Sequence, residues 1–287
     1  MTSPWQLGVI GHPIGHSLSP AMHRLFLERA GMAGDYLAYD APPETLAMRL
    51  AALAQSGLRG LNVTIPHKRA VIPHLTRVAP DAQVIQAVNT IVFHRDGARE
   101  GLNTDIAGFW NSLPPRAQQY AVEGHTLLLG AGGASRAALA ALIERGAQRL
   151  TLAVRNPDRA YDALMAADDL CRRAHSACDI LLMALSDLAS LGSYSLVINA
   201  TSIGMGDSGL TPLNASQLTS LPDASFVYDV VYGRRPTRLI RECESLGIEA
   251  CDGLWMLVRQ GADAFERWTG ATVNEEAARA AYDLLRA

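Results

Sequence analysis

Residues 125–144 read HTLLLGAGGASRAALAALIE, and this stretch decides the fold. The apolar run His125–Leu129 has the length and bulk of a buried strand. The glycine-rich turn Gly130-Ala131-Gly132-Gly133-Ala134-Ser135 follows at once, and the Ala-rich segment Arg136–Glu144 continues as a helix ending at Gly146. A glycine turn between strand and helix lets the backbone approach a pyrophosphate, while the helix start offers free N–H groups and partial positive charge. The third glycine of a G-x-G-x-x-G pattern is Ser135 here, still small enough for close helix–strand packing. The stretch therefore reads as the first strand–turn–helix of a dinucleotide-binding domain.

Outward from it, Arg149–Val154, Ile180–Ala184, Leu196–Asn199 and Phe226–Val230 read as the later strands of a doubly wound domain. Upstream, strands at Leu7–Ile10, Tyr36–Tyr39 and Leu61–Ile65 alternate with helices at Ala21–Ala30 and Glu44–Gln55. Ser19 is the expected cap of the first helix, with Pro20 at its first position. Val88–His94 and the segment after Gly97 read as an antiparallel hairpin, and a helix is expected from Asp105 through Trp110. Alternation of this kind predicts a mainly parallel α/β sheet covered by helices. Pro114–Pro115 marks a connection before the second half, and two helices, Leu254–Trp268 and Asn274–Arg286, close the chain. The expectation is an α/β protein of two domains, one of residues 1–104 plus 255–287 and one of residues 105–254.

The chain has 287 residues, 49% of them hydrophobic, enough for two well-buried cores. A net charge of −3 leaves no basic footprint for nucleic acid. Apolar stretches such as Ala137–Ile143 are too short to span a bilayer. The opening MTSPWQLGVIGHPIG lacks a basic segment leading into an apolar run, so no secretory leader is expected and the cytoplasm is the expected compartment. The four cysteines, Cys171, Cys178, Cys243 and Cys251, form no C-x-x-C pair and read as free thiols. His12 and His16 are four apart in a Gly/Pro-rich loop rather than on a helix face, so no metal is expected.

The end of the second strand of a dinucleotide domain discriminates between nicotinamide cofactors. An acid there binds the ribose hydroxyls of NAD. This chain reads Ala153-Val154-Arg155-Asn156-Pro157-Asp158-Arg159, with arginine in that place and another one turn on. A guanidinium suits a 2′-phosphate, so NADP is favoured, with Arg155, Asn156 and Arg159 at the phosphate.

The first half carries polar clusters at strand ends and loops: Ser17 and Ser19, then Asn62, Thr64 and Lys68, then Asn89, then Asn103 and Asp105. Singly each has a plain reading as a cap, a turn former or a surface charge. Together they are expected to line a cleft facing the nucleotide domain, and they suit a small polyhydroxylated acid. Lys68 and Asp105 are the chemical pair. Hydride removal from an alcohol carbon requires the hydroxyl proton to leave, and a lysine held by a carboxylate can receive it. The residues alone leave Lys68 open as base, proton relay or charge stabiliser.

The runs GHPIGHSLSP, LNVTIPHK, AVNTIV, NTDIAGF, LLGAGGASRA, INATSIGM, DVVYGRRPT and DGLWMLVRQGADAFERWTG, in this order over nearly the whole chain, resemble the shikimate dehydrogenases. The resemblance implies reversible reduction of 3-dehydroshikimate to shikimate with NADPH, a step of aromatic amino-acid biosynthesis, by a monomer or homodimer. It implies Lys68 and Asp105 as catalytic dyad and Ser17, Ser19, Asn62, Thr64, Asn89, Tyr232 and Gln260 as substrate contacts. It also implies Gly130, Ala131, Gly132, Gly133, Ala134, Arg155, Thr201, Val230 and Gly253 as cofactor contacts. Departures from the family pattern are Val154 and Asn156 around the arginine, Pro80, Gln86, Gly233-Arg234 after Tyr232, and Trp255 where the family has glycine. Trp255 leaves a quinate/shikimate or related cyclitol-acid dehydrogenase as the alternative substrate reading. A non-catalytic metabolite sensor is the reading from another class, against which both dyad residues stand.

Overall fold

The computed structural model describes residues 4–207 and 209–287, with the side chains of Arg159 and Asp207 outside the description. In chain order the elements are β1 (Trp5–Gly11), α1 (Ser19–Arg29), β2 (Gly34–Asp40), α2 (Leu46–Gln55), β3 (Gly60–Val63), β4 (Arg77–Val78) and α3 (Pro80–Ile85). There follow β5 (Thr90–Phe93), β6 (Arg99–Leu102), α4 (Asp105–Ser112), α5 (Pro115–Glu123), β7 (His125–Leu129), α6 (Gly133–Glu144) and β8 (Arg149–Val154). The remainder is α7 (Tyr161–Ala174), β9 (Asp179–Ala184), β10 (Leu196–Asn199), α8 (Ala215–Leu218), β11 (Phe226–Asp229), α9 (Arg238–Ser245), β12 (Ala250–Asp252), α10 (Leu254–Thr269) and α11 (Glu275–Arg286).

The chain forms two compact units, residues 1–108 with Leu257–Ala287, and Phe109–Met256. The first is built on a six-stranded sheet of order β2-β1-β3-β5-β6-β4. Its β1, β2 and β3 run parallel, and β5 is antiparallel to both β3 and β6, the expected hairpin. The chain goes from β1 to β2 on one side and returns to β3 on the other, so strand order reverses at β1/β3. The second unit has a six-stranded, wholly parallel sheet of order β12-β11-β10-β7-β8-β9, with its reversal at β7/β10. Ligands of open α/β sheets bind beyond the carboxyl ends of the strands at such reversals.

Each unit has its own core. Ile10, Leu46, Leu50, Leu61, Val63, Val88 and Ile91 fill the first, and Leu127, Leu129, Val197, Leu218, Val227 and Leu239 the second. Trp268 of α10 covers β3 at Gly60, where a Cβ would come within 2.3 Å of the indole, and its Nε1 donates to the Ile91 carbonyl at 3.0 Å. No described helix is long and apolar enough to cross a membrane.

Some local expectations change. Ser19 opens α1 but does not cap it: Leu18 takes the cap position without a side-chain bond, and Ser17 Oγ instead accepts from the Ser19 N–H at 3.3 Å. The segment opened by Pro43 begins as a short 3₁₀ turn, Pro43–Thr45, before α2. Pro114–Pro115 is the start of α5, because a proline lacking its N–H fits the first turn of a helix.

Behind the first sheet lies a buried histidine. His23 is fully buried against Phe26, Tyr36, Phe265 and Trp268, its ring stacked on Tyr36 at 4.3 Å. Neither ring nitrogen has a hydrogen-bond partner. Burial lowers its pKa from 6.5 to about 3, and the nearby Asn62 amide, outside hydrogen-bond geometry, offsets only part of that. The folded state keeps His23 neutral while the unfolded chain protonates it below pH 6.5. Stability from this group is thus lost as pH falls from 6.5 toward about 3, by about 1.4 kcal/mol per pH unit. Urea unfolding of wild type and His23→Met at several pH values between 4 and 7 should show that extra slope in wild type only. Parallel curves would show that His23 is not the proton-binding group.

Candidate active site

Two sets of residues gather at the carboxyl ends of strands, one in each unit. In the first unit, β1 and β3 end side by side. A Cβ at Gly11 would lie 2.5 Å from Thr64 Cγ2 and 3.0 Å from the Ile65 carbonyl, so only glycine allows this approach. The His12 N–H donates to Ile65 O at 2.9 Å, locking the loop of Ser17 and Ser19 to that of Thr64 and Lys68. The His12 ring itself pairs with Asp40 at 3.1 Å.

Lys68 Nζ lies 2.5 Å from Asp105 Oδ2, with 17% of the lysine side chain and 6% of the aspartate side chain exposed. A pair so withdrawn from water is stable only if its remaining hydrogen-bonding positions are filled. Asn89 Nδ2 donates to Asp105 Oδ1 at 2.8 Å. Asn89 Oδ1 accepts from the Thr104 N–H at 2.7 Å, and the Val88 N–H donates to Lys68 O at 2.8 Å. Asn103 Oδ1 accepts from the Ile106 N–H at 3.1 Å and so caps the start of α4, where the helix dipole favours the Asp105 carboxylate.

Gln260 joins the same cluster from α10. Its Oε1 accepts from Asn89 Nδ2 at 3.3 Å. Gly108 makes this possible, since a Cβ there would meet the Gln260 side chain and backbone at 2.6–2.9 Å. Asn62 is placed differently. Its Oδ1 accepts from the Tyr36 hydroxyl at 2.8 Å, and its Nδ2 donates to Asn89 O and Thr90 Oγ1, both at 3.2 Å. With that amide committed inside the protein, Asn62 supports Asn89 from behind. Sequence reasoning did not single out Thr104 or Gly108; their only signal is that they lie close to Asp105 in NTDIAGF.

In the second unit the glycine-rich turn lies between β7 and α6. Gly130 has φ +101°, a conformation that glycine alone adopts readily, and a Cβ on it would meet Thr201 Cγ2 at 3.1 Å. A Cβ at Gly132 would meet nothing within 4 Å, so that side of the turn is open. Ser135 Oγ donates to Gly130 O at 2.5 Å, fastening turn to helix in the place of the third glycine. The loops after β10, β11 and β12 meet beside this turn. Val230 N–H donates to Asn199 O at 2.8 Å, and a Cβ on Gly253 would come within 2.2 Å of Val230 O. Thr201, Val230 and Gly253 are thereby brought together.

Arg155 stands exposed directly after β8. Asn156 Oδ1 accepts from the Asp158 N–H at 3.0 Å and caps the short turn Pro157–Ala160. The side chain of Arg159 lies outside the described residues. A positive-φ glycine turn, the free N–H groups of α6, and an arginine without an acid at the β8 end fit a dinucleotide carrying a 2′-phosphate. Tyr232 sits half-buried in the loop after β11, within this second unit.

Comparison with known proteins agrees with these two sets. The family profile described as the shikimate dehydrogenase substrate binding domain matches residues 9–91, and that described as the shikimate 5'-dehydrogenase C-terminal domain matches residues 253–281. The NADP(+) shikimate dehydrogenase of Symbiobacterium thermophilum is 42% identical, over 92% of this chain and 88% of its own. That of Rhodospirillum rubrum is 40% identical, over 96% of this chain and 95% of its own. Among solved structures, Thermus thermophilus shikimate 5-dehydrogenase in complex with NADP(H) and shikimate superposes with a TM-score of 0.79 at 36% identity, covering 98% of this chain and 99% of that one. With such identity over nearly its full length, the chain belongs to the shikimate dehydrogenase family.

Proposed function

We propose that this chain is an NADP-dependent oxidoreductase that reversibly reduces 3-dehydroshikimate to shikimate, a step of aromatic amino-acid biosynthesis, in the cytoplasm and as a monomer or homodimer. The observation that carries it is the withdrawn Lys68–Asp105 pair, 2.5 Å apart and braced by Asn89, in a member of this family. The curated relatives bear that activity in their names. We assign residues 1–104 and 255–287 to substrate binding and residues 105–254 to the cofactor.

NADP, when bound, gives or accepts the hydride. The protein handles the proton. In the reducing direction the carbonyl oxygen gains negative charge as hydride arrives, and the Lys68 ammonium is placed to donate a proton to it. In the oxidising direction Lys68 takes that proton back. Asp105 holds the ammonium on one oxygen, and Asn89 fixes the other. Ser17, Ser19, Thr64, Asn89, Tyr232 and Gln260 contact the substrate in this reading, while Asn62 acts through Asn89. Gly130 to Ala134, Thr201, Val230 and Gly253 cradle the cofactor, and Arg155, with Asn156 and Arg159, reads the 2′-phosphate.

Initial rates with shikimate and with quinate, each with NADP and with NAD, test the assignment: shikimate with NADP should give the highest kcat/KM. Lys68→Ala should cut kcat by roughly 10²–10⁴-fold while shikimate affinity changes far less. Near-normal turnover in that variant would sink the dyad. Arg155→Ala should raise the KM for NADP by roughly ten- to a hundredfold and hardly change that for NAD. The Arg155→Ala/Arg159→Ala double variant should lose more, and if it kept full NADP preference the phosphate would be read elsewhere.

A further inference from the structure

The second unit buries a carboxylate that the proposed chemistry does not use. Asp229, the last residue of β11, has no exposed surface. Each of its oxygens is met by donors. Oδ2 accepts from Thr237 Oγ1 at 2.6 Å, and Oδ1 accepts from Asn199 Nδ2 at 2.8 Å and from the Val231 N–H at 3.1 Å. These partners come from three places in the chain. Thr237 caps α9, with its hydroxyl also accepting from the Ile240 N–H at 3.3 Å. Asn199 ends β10, and Val231 lies in the loop after β11.

The Asp229–Thr237 bond therefore closes residues 230–236 into a ring of chain. Asn199 then ties that ring to the loop after β10. Its Oδ1 accepts from both the N–H and the hydroxyl of Thr201, at 3.1 and 2.7 Å, and its Nδ2 also reaches Ile203 O at 3.2 Å. The two loops so joined carry Thr201, Val230 and Tyr232. Closing a loop with a charge-assisted bond reduces the conformations it must give up when a ligand binds, which is the physical content of preorganisation.

We propose that Asp229, with Thr237 and Asn199, is a positioning device for the reaction: a buried clasp that fixes the two loops bearing the cofactor contacts Thr201 and Val230 and the substrate contact Tyr232. This rests on the reading of those three residues given above. None of the clasp residues is among the ligand contacts assigned above, so its loss should appear in binding rather than in the chemical step.

Steady-state kinetics of the full chain test the clasp. Thr237→Val deletes the hydroxyl at constant shape and should raise the KM for NADP by about tenfold and that for shikimate severalfold, with kcat within about threefold of wild type. Thr237→Ser keeps the bond and should stay within about twofold throughout. Asp229→Asn leaves the α9 cap in place and should move both KM values in the same direction, which separates the clasp from the cap. Leu218→Ala, in the same core but outside the hydrogen bonds of the clasp, lowers Tm and should leave both KM values unchanged. The proposal is overturned if Thr237→Val keeps both KM values within twofold of wild type, or if Leu218→Ala raises them as much. Tyr232→Phe and Arg155→Ala, run alongside, report on the site itself. If they change KM and Thr237→Val does not, the clasp alone falls; if none of the three changes KM, the ligand contacts are wrong as well.

Discussion

The polar cluster of the first unit holds an ammonium and a carboxylate together, 2.5 Å apart and mostly out of water. Desolvating two charges costs more than their attraction returns unless every remaining lone pair finds a donor. Asn89 supplies that second requirement for Asp105, and the rest of the cluster exists to hold Asn89. Thr104, Thr90 and Gln260 surround its amide, while Asn62 and Val63 meet its backbone carbonyl. Removing a polar side chain from this ring leaves a buried polar group unpaired, so its members act as a unit rather than as separate contacts.

The two units solve the same geometrical problem with different residues. Each sheet reverses strand order once, at β1/β3 and at β7/β10, and each places its polar loops beyond the carboxyl ends there. Bringing such loops close requires glycine where backbones nearly touch. Gly11 against Thr64 does this in one unit, and Gly130 against Thr201 with Gly253 against Val230 in the other. The first unit fills the space so created with side chains that pair a lysine. The second leaves it lined by backbone N–H groups, which suits a phosphate.

Residues 125–144 made the second unit legible, because strand, turn and helix each have a separate local signal and here the three agree. The pairing of Lys68 with Asp105 was legible from chemistry, since a lysine and a carboxylate each come soon after a strand. The supports were not. Asn62 looks like Asn89 in sequence, a polar residue at a strand, and only the hydrogen bonds show that its amide is spent on Tyr36, Asn89 and Thr90. Ser19 looked like a helix cap, but the cap residue depends on the backbone angle at Leu18, which no pattern of residue types reveals. Helices α5, α7 and α9 also went unread. The buried face of α5 and most of that of α7 is alanine, a weak apolar signal, and α9 is only two turns long, with Leu239, Ile240 and Cys243 as its whole apolar face.

Two buried titratable groups, His23 and Asp229, pull stability in opposite directions. His23, lowered to about 3, stays neutral in the folded protein, so acid favours the unfolded chain that can protonate it. Asp229 is raised to about 6, chiefly by burial, with its three hydrogen bonds offsetting part of that. Between 3.8 and about 6 the folded state binds the Asp229 proton more tightly than the unfolded chain does, so this group favours folding as pH falls through that window. Each slope is about 1.4 kcal/mol per pH unit, and they oppose one another over nearly the same range. One fold can therefore carry an unpartnered imidazole and a buried carboxylate while showing little net pH dependence from the pair. The cancellation holds for stability only. In the second unit, protonating Asp229 removes an acceptor from the Thr237–Asn199 clasp, a local loss that the proton balance at His23 does not restore.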